Sequence, residues 1–87
     1  MTDERILGVI VEATKVFGLM AREVALHLGE TMLAKPLAEV GAYFGASENE
    51  IAAARLAVAK KCMADRDFAV KLAQCKVDVL RRVEAVF

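Results

Sequence analysis

The chain is poor in the residues from which most chemical sites are built. Its 87 residues include one histidine, two cysteines, one proline and no net charge. A lone histidine, His27, leaves few ways to assemble an acid–base pair. No serine, cysteine or carboxylate has an evident histidine partner in sequence, and no glycine loop resembles a nucleotide cradle, so catalysis is not expected. Cys62 and Cys75 lie far apart, without a CxxC pair or clustered histidines. They read as reduced, small apolar residues, and neither a metal nor a cofactor is expected. One proline in a chain that is 57% hydrophobic argues against disorder. No apolar run is long enough to span a bilayer, and the opening Met1-Thr2-Asp3-Glu4-Arg5 is acidic where a signal peptide is basic. A cytoplasmic location with no membrane partner is the expectation. Repeats, linkers and low-complexity tracts are absent, so residues 1–87 read as a single domain. Twelve basic residues cancel twelve acidic ones. Phosphate neutralisation supplies most of the affinity in nucleic-acid binding, so a neutral chain starts with a weak electrostatic claim on DNA.

What is present is helical punctuation, and it predicts an all-α fold of about five helices. The first runs from about Asp3 to Phe17, stopped by Gly18, with a stripe of Ile6, Val9, Ile10, Ala13, Val16 and Phe17. Leu7 and Val11 spill onto its other side, which makes the apolar face wider than a surface helix needs. The second, near Met20 to Met32, buries Val24, Ala25, Leu28 and Met32. Pro36 suits the first turn of a third helix. A fourth, alanine-rich helix extends from Glu48 to about Met63. Asp65 or Asp67 caps a fifth, whose Phe68, Leu72, Cys75, Val79, Val83 and Val86 form an amphipathic seam.

The segment Leu37-Ala-Glu-Val-Gly-Ala-Tyr-Phe-Gly-Ala-Ser-Glu-Asn-Glu-Ile51 has the spacing of a helix-turn-helix, placed at about 37–60. Val40 and Phe44 stand one helical turn apart, and Gly41 between them lets a second helix cross closely. Gly45 falls where the chain must turn, in the left-handed conformation that glycine adopts at low cost. Ser47 then opens the next helix, with Glu50 closing a capping box, and Ile51 and Ala54 face back to Val40 and Phe44. An ordinary αα-corner in a helical bundle has the same spacing.

These residues resemble the C-terminal DNA-binding domain of the bacterial replication initiator DnaA and its short stand-alone relatives. Ala21-Arg-Glu-Val-Ala-Leu-His-Leu28 parallels the family's ARQVAMYL helix, and Leu37-Ala-Glu-Val-Gly-Ala-Tyr-Phe-Gly45 parallels its LxEVGRAFG segment. Asp65-Arg-Asp-Phe68 and Leu72 are similar to the opening of its final helix. The resemblance covers Ala21 to the end and implies a Trp-repressor-like helix-turn-helix core with double-stranded DNA as partner. It departs from the pattern at the turn. The family's basic, hydroxyl-rich RDHTTV signature is replaced by Ala46-Ser-Glu-Asn-Glu-Ile51, and the basic loop before the second helix is reduced to Gly18-Leu19.

Two functions are consistent with this pattern. In the first, the chain is a small DNA-binding regulator of replication or transcription, with altered or weakened recognition of the family's DNA box. Its contacts are then Arg22 (matching the arginine of ARQVAMYL), Lys35 at the mouth of the motif, Ser47, Asn49 and Arg55. In the second, the helix-turn-helix is a degenerate scaffold for protein association. Two outcomes are open for the surplus apolar surface. One is a homodimer through Leu7 and Val11 of the first helix, or through Val83, Val86 and Phe87 at the far end. The other is a compact monomer in which the last helix folds back over Leu7 and Val11.

Overall fold

A computed structural model of the chain describes residues 3–33 and 36–84. Among these residues every regular element is helical: α1 Asp3–Thr14, a 3-10 helix Lys15–Met20, α2 Ala21–Met32, α3 Leu37–Phe44, α4 Glu48–Ala64 and α5 Arg66–Glu84. The Cα radius of gyration is 12.3 Å, close to the ~12 Å of a compact chain of this length. The last helix therefore packs back on the others.

Local chemistry explains most of the boundaries. Ser47 Oγ accepts from the Glu50 backbone N–H at 3.1 Å and opens α4. Asp65 Oδ1 accepts from the Phe68 backbone N–H at 3.2 Å and opens α5. That bond and the neighbouring Lys61 hold the Asp65 carboxyl below its usual range. Pro36 stands immediately before α3, in extended backbone, so its missing N–H falls where no helical bond is owed.

The end of α1 differs from the sequence expectation. The regular helix stops at Thr14 rather than near Phe17, and the chain tightens into the 3-10 helix. The Thr14 hydroxyl is buried and turned back on its own helix, donating to the carbonyls of Ile10 at 2.8 Å or Val11 at 3.1 Å. Gly18 breaks the 3-10 run at φ 59°, ψ −117°, outside the regions open to other residues. Val16, expected on the inner stripe, is consequently exposed.

Two apolar clusters make the core. The larger joins Leu7, Ile10 and Ala13 of α1 to Val24 and Leu28 of α2, Val58 of α4, and Phe68, Leu72, Cys75 and Val79 of α5. The expected α5 seam is this buried row, with Val83 packed against it, while Val86 lies outside the described residues. Cys75 is buried, its thiol directed at the Ala13 carbonyl 3.6 Å away, and burial pushes its pKa up. The smaller cluster is Leu26, Val40, Ile51 and Ala54, with Phe44 and Ala46 packed on it, and it holds α3 and α4 to α2. Leu7 corrects the sequence reading: it is only 4% exposed. Gly29 of α2 makes this fit, since a Cβ there would stand 3.2 Å from Leu7 Cδ2 and from Val40 Cγ1. The wide apolar face of α1 is thus consumed inside the domain, leaving Val11 half-buried.

Candidate nucleic-acid interface

The turn between α3 and α4 is held by main-chain bonds that only glycines permit. Gly45 sits at φ 66°, ψ 33°, and both its N–H and that of Ala46 turn back to the Gly41 carbonyl, the latter at 2.8 Å. This is a Schellman closure, which satisfies the free carbonyl end of α3. A Cβ on Gly41 would collide with the Ala46 carbonyl oxygen. Val40, Ile51 and Ala54 are buried together beneath the turn. The first turn of α4 therefore projects from the domain with Ser47, Glu48, Asn49 and Glu50 all exposed.

Of the candidate contact residues, Arg22 lies on α2, Asn49 and Arg55 on α4 and Ser47 at the α4 cap, and the two arginines are engaged. Arg22 Nε and Nη2 both donate to Glu50 Oε2, at 3.0 and 2.6 Å, and Nη1 donates to the Phe44 carbonyl at 3.3 Å. Glu50 thus turns its carboxylate to α2, and the observed capping box contains only its Ser47 half. Arg55 Nη1 donates to Glu30 Oε1 at 2.7 Å. Each helix gives one arginine and one glutamate, so α2 and α4 are tied by two oppositely directed ion pairs. Asn49 is exposed in the first turn, and Ser47 is committed as the cap. Lys35 lies outside the described residues. Beside the Arg22–Glu50 tie lies a shallow groove of about 210 Å³, lined also by Glu23, Leu26 and the small side chains Ala53, Ala54 and Ala57.

Sequence reasoning missed the polar face of α2. Glu23, His27 and Glu30 follow at helical spacing, and Glu23 Oε2, His27 Nδ1 and Glu30 Oε2 are each buried without a hydrogen-bond partner. Burial lowers the His27 pKa, and Lys76 and Arg55 push it the same way against the opposing Glu30. Among the described residues no group of three or more His, Cys, Asp or Glu side chains is placed to hold a metal ion.

The outward face of α4 also departs from a DNA-reading surface. Leu56 is 60% and Met63 90% exposed there, and Lys60 is the cation between them. In place of a basic loop before α2, the 3-10 helix presents Val16 and a fully exposed Leu19. Its own Lys15 is paired with Glu12 at 3.0 Å, and a second cation comes from α5: Lys71 Nζ donates to the Val16 carbonyl at 2.8 Å and lies 5.4 Å from the Phe17 ring centroid. No helix among the described residues is long and apolar enough to cross a membrane. Comparison with family models, with curated proteins and with solved structures finds no match.

Proposed function

We propose that the chain is a small helix-turn-helix DNA-binding protein of the kind found in the DNA-binding domain of the replication initiator DnaA, with a Trp-repressor-like core and weakened recognition of that family's DNA box. The observation that carries this reading is the Gly41–Gly45–Ser47 turn, which buries Val40 against Ile51 and aims the first turn of α4 outward. Asn49 is the residue able to pair with an adenine edge, and the Ser47 hydroxyl keeps a proton for a phosphate oxygen. Arg22, Lys35 and Arg55 supply the phosphate contacts, with Arg22 and Arg55 first leaving their glutamates. The Arg22–Glu50 pair is half exposed and worth at most about 1 kcal/mol, so a phosphate can displace it. Arg55 leaves a Glu30 side chain that is only 14% exposed and is the harder of the two to free.

Roughly three phosphate contacts give a slope near −3 in log K against log salt. Anisotropy titration on box-containing and random duplexes at low salt tests the reading, with weak, steeply salt-dependent binding as the expected result. No binding to any duplex at low ionic strength overturns it.

A second reading, a scaffold for protein association without DNA, is favoured by one specific observation. Both arginines are neutralised by glutamates, and α4 exposes Leu56 and Met63 where a groove-reading helix carries cations.

A further inference from the structure

The last helix has a second apolar row. Val70, Val77 and Leu80 are 48%, 47% and 51% exposed, and Ala73 lies exposed among them. They sit on the side of α5 opposite the buried Phe68, Leu72, Cys75 and Val79. Their spacing of three, four and three is that of the a and d positions of a helix-pairing seam, with Val70 and Val77 at a, and Ala73 and Leu80 at d. Extended by one step each way, the same pattern places Arg66 at a d position and Glu84 at an a position, at the two ends of the helix. Both are exposed, and neither has an ion-pair partner among the described residues. A groove of about 400 Å³ runs along this face, lined by Ala73, Gln74, Val77, Asp78 and Arg81.

We infer that the outer face of α5 is a self-association surface that pairs antiparallel with α5 of a second copy of this chain. The charges select that occupant and that orientation. When two α5 helices overlap over their full length in opposite directions, each a position meets a d position of the other copy. Val70 then faces Leu80 of the second copy, Ala73 faces its Val77, and Arg66 faces its Glu84. The seam is apolar in the middle and closed at both ends by opposite charges. Alongside it, Asp67 comes next to Arg81 of the second copy, again on both sides of the two-fold axis. The two Lys76 side chains flank the axis as a like-charge pair, outnumbered by these four opposite-charge pairs. A parallel pair would set Arg66 against Arg66 and Glu84 against Glu84. An antiparallel pair slipped by one heptad would bury a charged end against valine or alanine. Only the full overlap satisfies every position of the row.

The interface is a single helix pair, at the low end of specific complexes and below about 1,200 Å² in total, so the dimer is weak and depends on concentration. It does not rest on what α4 binds, and its test needs no DNA.

Sedimentation equilibrium of the full chain from low micromolar to millimolar concentration is the experiment. The expected mass moves from monomer toward dimer across that range. Val77→Glu and Leu80→Glu each place a carboxylate in the seam and lower the association constant by ~tenfold or more. Arg66→Glu and Glu84→Arg each create two like-charge contacts, because the two-fold axis repeats every pair. Each weakens the dimer several-fold, and the double variant restores it. Circular dichroism checks the fold, and Arg66 and Glu84 are exposed enough that their exchange tests the pairing even if the seam variants unfold. A wild-type chain that stays monomeric to millimolar concentration overturns the inference. So does a dimer indifferent to both seam variants, or a charge-exchanged double variant no tighter than its parents.

Discussion

Gly41 and Ala46 meet main chain to main chain: the Ala46 N–H donates to the Gly41 carbonyl at 2.8 Å, while the Ala46 carbonyl occupies the space a Gly41 side chain would need. The contact joins the end of α3 to the entry of α4, and it separates the roles of the two glycines at the turn. Gly41 is required for room. Gly45, with nothing within 4 Å of its added Cβ, is required for its left-handed φ.

The two glycines should therefore respond to substitution for different reasons. Gly41→Ala forces backbone apart and should cost ~1–3 kcal/mol or more. Gly45→Val should cost about 1–2 kcal/mol from conformation alone, and Gly45→Asn much less, because asparagine tolerates that region. Urea unfolding of the three variants is the check. An alanine at Gly41 that leaves stability unchanged would contradict the close approach.

The Arg22–Glu50 pair predicts a gain of DNA binding by removal of an acid. Glu50→Gln should raise duplex affinity several-fold with the salt slope still roughly −3, because Arg22 reaches the same phosphate without first leaving a carboxylate. Because both side chains are about half exposed, stability should change by no more than ~0.5 kcal/mol. Adding Arg22→Ala should abolish the gain. If the double variant keeps it, the effect belongs to the lost carboxylate and Arg22 is not a contact.

His27 predicts acid sensitivity. Its folded-state pKa lies below the ordinary 6.5, chiefly through burial. Below pH 6.5 the unfolded chain therefore binds a proton that the folded chain refuses, and stability falls as pH drops toward the folded pKa. Above that range the group contributes no pH dependence. Urea unfolding at pH about 7.5 and about 5.5 should show a larger loss for the wild type than for His27→Gln. Equal losses would remove His27 as the cause.

Leu7 should behave as a core residue and not as a contact between molecules. Leu7→Ala should cost ~2–5 kcal/mol, whereas Leu19→Ser should stay within about 0.5 kcal/mol. Thermal unfolding distinguishes them. A Leu7→Ala variant as stable as the wild type would return this side of α1 to the surface.

The sequence by itself determined the helices and most of their ends, the stop of α1 at Thr14 and the 3-10 helix after it being the exceptions. Gly45, the Ser47 cap, Pro36 and Asp65 act within a few residues, through backbone conformation and local hydrogen bonds, so their effects are visible in one dimension. The row Phe68, Leu72, Cys75 and Val79 of α5 was also visible in its 3.6-residue period, whereas alanine-rich α4 has no apolar side that a period can show, and Val58 of its buried row went unnamed. Tertiary structure decided everything that depends on what stands opposite. Leu7 and Val11 looked like surplus surface until Gly29 allowed α2 to close over Leu7. Arg22 and Arg55 are ordinary surface cations in the sequence, and their engagement depends on two glutamates more than twenty residues away on crossing helices. Glu23, His27 and Glu30 share a face of α2, but only the packing of α4 and α5 takes water from them. Val70, Val77 and Leu80 are left outside for the converse reason. A helix with two apolar sides can bury only one against a domain this small, and the side it buries is settled by the packed core.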